Sequence, residues 1–110
     1  MKVILTENSR QNLQSYFRFA AERAPETAAR WISRFEAALE TLEYFPRRCS
    51  IAPESRFVGR EIRQFLFGKR PNVFRVLFEI TGEEVLVLHI RRGSMDFATW
   101  DEIFPSGSDG

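Results

Sequence analysis

The residues best suited to chemistry gather in the second half of the chain. His89 is the single histidine, set in the aliphatic run "VLVLHI" directly before Arg91 and Arg92. Its ordinary pKa near neutrality makes it the natural proton donor or acceptor. Arg60, Arg63, Lys69, Arg70 and Arg75 come from the two apolar segments that precede it. Guanidinium groups gathered on one surface bind phosphate or carboxylate through paired, charge-assisted hydrogen bonds. The competing account is that each arginine pairs with Glu61, Glu79, Glu83 or Glu84 on a neighbouring strand and keeps the sheet soluble. Residue types alone leave the two accounts level.

Other chemistries find little support. Ser94 is the serine a Ser–His pairing would use, but a lone strand histidine is more often a hydrogen-bonded structural residue. Cys49 and His89 lack ligand spacing, so no metal is expected. There is no phosphate-cradling glycine loop and no nucleophile elbow, and no cofactor is expected. Trp31, Trp100 and the phenylalanines read first as core.

The 110 residues suffice for one packed domain, with 44% apolar residues and eleven phenylalanines. Sixteen basic residues against fifteen acidic ones exclude a global nucleic-acid signature, so any basic site must be local. Fourteen of the sixteen are arginine, which suits planar anions; a GC-rich genome accounts for the excess at least as well. One cysteine fits a reducing compartment. No apolar run is long enough to span a membrane, and "MKVILTENSRQ" turns polar too soon for a signal peptide. The expected location is the cytoplasm.

The positioning elements follow from periodicity. "KVILT" reads as a strand, ended by Thr6 and Asn8 as helix caps. Leu13, Tyr16, Phe17, Ala20 and Ala24 form one face of a helix from Glu7 to about Arg23. Pro25 opens a second helix, with Ala28, Ile32, Phe35, Leu39 and Leu42 as its buried stripe, stopping at Pro46. "PRRCSIAPESRFVG" shows neither period and reads as a surface loop. Strands are expected over Arg60–Phe67, Val73–Ile80 and Glu84 to about Arg91, joined by "GKRPN" and "TGEE" as an antiparallel meander. "DFATWDEIF" reads as a helical turn. The expected fold is α+β: an N-terminal strand and antiparallel helical hairpin packed on one face of a small, mainly antiparallel sheet, the other face partly open. Residues 1–104 form a single domain and 105–110 a flexible tail.

The face on which His89 stands depends on the last turn. A three-residue loop puts Leu86, Leu88 and Ile90 towards the helices and His89 and Arg91 beside Arg75 on the open face. A two-residue loop sends His89 towards the helices. Polarity favours the first, since ionisable groups under phenylalanines would need partners.

Taken together, "VILTENSRQNL", "LEYFPRRCSIAPE", "GREIRQFLFGKRPNVFRVLFEI" and "EEVLVLHIRRG", in this order, resemble the RelE/ParE toxin superfamily of plasmid-stabilising type II toxin–antitoxin modules. The resemblance implies a growth-inhibiting toxin neutralised by a ParD-like or similar antitoxin, in toxin–antitoxin hetero-oligomers. Phe57, Phe65 or Phe67 are candidates for surface that the antitoxin covers. RelE-like members cut ribosome-bound messenger RNA, and ParE-like members poison DNA gyrase. Arg63 and Arg75 fall at basic positions of the superfamily, and Arg92 lies close to the one after the last strand. The tyrosine that such ribonucleases often carry near the C-terminus is replaced here by Phe97 and Trp100, which cannot transfer a proton. The long hairpin and "LFGKR" are also more ParE-like. The favoured reading is therefore a gyrase inhibitor whose target-binding residues are Arg63, Arg75, Arg91, Arg92, Phe97 and Trp100. A messenger-RNA endoribonuclease using Arg63, Arg75, His89 and Arg92 is the alternative, and an inactive antitoxin-binding module is a third.

Overall fold

The computed structural model describes residues 1–106. Its first strand, β1 (Lys2–Leu5), ends at Thr6, whose Oγ1 accepts from the Ser9 amide at 3.2 Å and caps helix α1 (Glu7–Arg23). The same hydroxyl donates to the Val87 carbonyl at 3.0 Å, so the cap also pins the helix to the sheet. Ala24 breaks the helix, and Pro25 starts α2 (Pro25–Glu40) where its missing N–H has no intrahelical partner to lose. The two helices form the expected hairpin.

The sheet has five strands in the order β1-β5-β4-β3-β2. Strands β3 (Arg63–Phe67), β4 (Phe74–Thr81) and β5 (Glu84–Arg92) make the expected meander, and β1 lies parallel to β5. A two-residue strand, β2 (Ser50–Ile51), pairs with the start of β3 inside the segment expected to be loop. Leu13, Phe35, Leu39 and Leu42 from the hairpin pack on Phe74, Val76, Phe78, Val85, Val87 and Ile90. Phe35, fully buried, meets Trp31 and Phe74 in edge-on contacts at 5.4 and 5.8 Å.

The last hairpin resolves the register differently from either alternative. Its turn has two residues, Gly82 and Glu83, between paired Thr81 and Glu84, and Gly82 takes the positive φ of 61° that such a turn needs. By itself this turn would send His89 under the helices. A β-bulge intervenes: Phe78 pairs with Val87 but Leu77 pairs with His89, which leaves Leu88 as an extra residue. Val85, Val87 and Ile90 therefore all face the helices, while His89 and Arg91 lie on the side of Arg75. Leu86 and Leu88, expected beneath the helices, pack on the second face instead.

That second face is not open. A short helix, α3 (Ser55–Val58), and a C-terminal helical turn, α4 (Trp100–Ile103), lie over it. Ala52, Val58, Ile62, Ala98 and Ile103 bury Leu77 and Leu88 in a second, smaller core. α4 is held by a reciprocal cap: Thr99 Oγ1 accepts from the Glu102 amide, and Glu102 Oε1 accepts from the Thr99 amide. β3 begins at Arg63 rather than Arg60, because the Ile62 backbone turns away to bond Ser55 Oγ and the Ala52 amide. Of the expected tail, residues 107–110 lie outside the described residues. Among the described residues no helix is long and apolar enough to cross a membrane.

Candidate target-binding surface

Arg75 leaves β4 on the second face and is only 7% exposed. Its Nη1 and Nη2 donate to the two carboxylate oxygens of Glu54 at 2.8 and 2.7 Å. Nε and Nη2 also donate to Gln64 Oε1 at 3.0 and 2.7 Å. Glu54 is 0% exposed, and its Oε2 accepts the Ala98 amide at 2.9 Å. Burial by itself would raise the Glu54 carboxyl pKa; the hydrogen bonds from Arg75 and the Ala98 amide prevail and hold it below the ordinary carboxylate range. This arginine is engaged on its whole fork.

His89 and Arg91 form a second buried pair on the same face. Arg91 Nη1 lies 3.1 Å from Glu102 Oε1 and 3.4 Å from His89 Nε2, while its Nε has no partner. Asn8 Nδ2 stands 3.5 Å from His89 Nδ1 and donates to the carbonyls of Leu88 and Glu102, both at 2.8 Å. Burial, reinforced by the Arg91 charge, pushes the His89 pKa down from 6.5 to about 4. The Thr99 amide, with Arg91, holds Glu102 below the ordinary range despite partial burial. At neutral pH His89 is an uncharged, buried imidazole that accepts from its neighbour.

Arg63 and Arg92 stand elsewhere. Their registers, opposite Phe78 and Phe74, put them on the helical side of the sheet. Arg63 donates to the carbonyls of Cys49 and Arg47 and to Glu61 Oε1 at 2.7 Å. Arg92 reaches Asn72 Oδ1 at 3.1 Å and lies 5.6 Å over the Phe74 ring. The anticipated concave cluster is therefore not formed as one site; of its members Arg60 and Arg63 share a cavity, with Arg47, Glu61 and Glu79 on its wall. Arginines on opposite faces of one sheet cannot converge, and most are already paired. Two of those pairs, Arg63–Glu61 and Arg60–Glu79 at 2.6 Å, use carboxylates the sequence reading named; Glu54 and Glu102 were missed. Neither lies on a strand, Glu54 standing at the start of α3 and Glu102 within α4, so no strand pairing could point to it.

What the second layer does present is aromatic. Phe97 is 56% exposed and Trp100 49%. Phe57, exposed on α3, lies 6.2 Å from Phe97, and Trp100 stacks against Phe104 at 4.7 Å. Arg60 covers Phe104 at 4.6 Å. Phe65 and Phe67 belong to the helix-side core instead. A second apolar cleft opens at the end of the helical hairpin, lined by Tyr16, Phe19, Trp31 and Phe74, with Arg92 and Asn72 at its rim.

A helical hairpin thus covers one side of a mixed sheet, a short strap closes the other, and apolar side chains stay exposed on both. Residues 3–97 match the family model described as "ParE toxin of type II toxin-antitoxin system, parDE", and the chain belongs to this family. Its fold is shared by a solved structure of the chromosomal ParDE toxin–antitoxin system from P. aeruginosa. The two chains are 19% identical with a TM-score of 0.68, over 84% of this chain and 95% of that one. No curated protein matches the sequence.

Two predictions follow from the buried pairs. Arg75→Ala leaves the Glu54 carboxylate buried without its counter-ion, which costs about 3–5 kcal/mol. Urea unfolding should show that loss, so any loss of toxicity in this variant reports folding first. The His89 prediction concerns pH. Its folded pKa lies below its unfolded value, so between pH 6.5 and about 4 the unfolded chain binds the proton and the native chain does not. Stability is complete above pH 6.5 and falls with decreasing pH; at pH 5 the loss from this residue is about 2 kcal/mol. His89→Gln should flatten the pH 7 to 5 slope in denaturation experiments, whereas equal slopes in both proteins would refute the buried, neutral histidine.

Proposed function

We propose that this ParE toxin acts in the bacterial cytoplasm by binding DNA gyrase through its C-terminal segment, and that a cognate antitoxin neutralises it. The observation that carries this reading is the state of the residues the ribonuclease mechanism would need. Arg75 is closed on Glu54 and Gln64, His89 is buried with a pKa near 4, and Arg63 and Arg92 face the other side of the sheet. In this state His89 is shielded from a phosphodiester and Arg75 has no free nitrogen to hold its phosphate. The exposed Phe97 and Trp100 offer the large, rigid apolar anchors that dominate protein–protein contacts. In this reading Phe97 and Trp100 touch the target and Arg75 and Arg91 hold the segment from beneath, while Arg63 and Arg92 face the helical side of the sheet and take no part in the contact.

The antitoxin takes the cleft at the hairpin. Its apolar lining and cationic rim suit an amphipathic segment with acidic flanks. The likeness to a ParDE toxin–antitoxin system supports a partner of that kind for this chain. Toxin–antitoxin hetero-oligomers follow if one antitoxin bridges several toxins.

Inducing the chain alone in a bacterium, while mapping messenger-RNA ends and DNA-damage signalling, separates the readings. Gyrase-dependent DNA breaks with intact RNA are expected. Phe97→Ala or Trp100→Ala should weaken the effect about tenfold or more, the scale of an interface anchor worth at least 1.4 kcal/mol. Codon-phased RNA cuts without a damage response would overturn the gyrase reading, and normal growth at good expression would favour the inert module.

A further inference from the structure

Glu54 lies beneath the exposed aromatic surface and bonds to β4, to α3 and to the segment that leads into α4. Its carboxylate is held by Arg75 of β4 in a two-pronged pair, with both residues buried. Its own carbonyl accepts the amides of Phe57 and Val58, so it also forms the start of α3, which displays Phe57. Its Oε2 then accepts the Ala98 amide, between the displayed Phe97 and the cap of α4. Among the described residues, this is the one hydrogen bond that ties the backbone of residues 97–99 to another part of the chain. The remaining bonds of that stretch run within α4 and its cap. Farther along, the segment is held by Asn8 and Arg91 at Glu102 and by the buried Ile103.

We infer that Glu54 is the positioning residue of the target-binding surface: clamped by Arg75, it sets the spacing of Phe57 and Phe97 through α3 on one side and the Ala98 amide on the other. The inference deepens the gyrase reading and rests on it for its functional half. A carboxylate is needed because three donors converge on its two oxygens, the two guanidinium nitrogens and the Ala98 amide. An amide side chain offers one acceptor oxygen and turns its NH₂ on Arg75. Glu54 makes no contact with the target in this arrangement; it acts through Phe57 and Phe97.

The test uses the full chain with Glu54→Leu and Arg75→Met together. Replacing both members of a buried ion pair with apolar residues of similar size generally preserves folding, while this replacement removes the acceptor under Ala98. Amide exchange of residues 97–104 should quicken at least tenfold, with exchange of the Phe35-centred core unchanged. Inhibition of purified gyrase should fall at least tenfold, and antitoxin affinity should stay within twofold, because the hairpin cleft lies on the opposite face. Protected Ala98 and wild-type inhibition in a folded double variant would overturn the proposal. So would a loss of gyrase inhibition without faster exchange in the segment. If the double variant does not fold, Ala98→Pro cuts the same bond from the other side and is read by the same measurements. A wild-type chain that leaves gyrase unaffected would refute the target reading, and exchange in residues 97–104 would then decide the positioning by itself.

Discussion

The buried pair of Glu54 and Arg75 is the contact on which the second layer of this protein depends. Two charges removed from water each lose several kcal/mol of hydration, and their attraction offsets this only when geometry is good and remaining donors are satisfied. Both conditions are met here. The pair is two-pronged, Gln64 takes the remaining reach of the guanidinium, and the Ala98 amide shares the carboxylate. Without it, Leu77 and Leu88 would still seek cover, but α3 and the C-terminal segment would keep only their separate anchors, at Ser55 and at Glu102, and lose the contact that joins them. The small apolar core supplies the attraction, and the ion pair supplies the register.

The bulge at Leu88 makes this possible from the other side. A glycine-led two-residue turn is a tight way to close the β4–β5 hairpin, yet it imposes a strict alternation that would bury His89 among phenylalanines. One extra residue after Val87 reverses the alternation for the rest of the strand. The first half of β5 serves the helical core with Val85 and Val87. The second half contributes Ile90 to that core and turns His89 and Arg91 to the polar pocket with Asn8 and Glu102. One aliphatic strand thus serves two layers, which accounts for a histidine and an arginine pair in so apolar a run.

How much of this was legible in the sequence varies with length scale. The helical hairpin was, because apolar residues from Leu13 to Ala24 and again from Ala28 to Leu42 recur at helical spacing over about three turns or more, and Pro25 marks the break. The three long strands and the family were also legible. β2 and α3 were not: two and four residues are too short to show a period, and Pro53 argues for loop. The face of Arg75 and His89 was read correctly, but its exposure was not, since the cover consists of those short pieces. A bulge has no composition of its own, so the halves of β5 were assigned to faces by one alternation when two apply. The pairings of Glu54 with Arg75 and Glu102 with Arg91 follow from tertiary placement alone. Phe97 and Trp100, named as target contacts from the resemblance, are exposed; Phe57, exposed beside them, had been named only as surface for an antitoxin.

The account makes the protein a two-sided docking module, with the hairpin cleft for an antitoxin and the aromatic strap for the target. The most direct measurement places a photoreactive phenylalanine analogue at position 97 and, separately, at position 19, and identifies what each captures in cells that also make the antitoxin. The account predicts that position 19 captures the antitoxin and that position 97, once the antitoxin is depleted, captures a gyrase subunit. Capture of ribosomal components from position 97, or of gyrase from position 19 and not from 97, would contradict it.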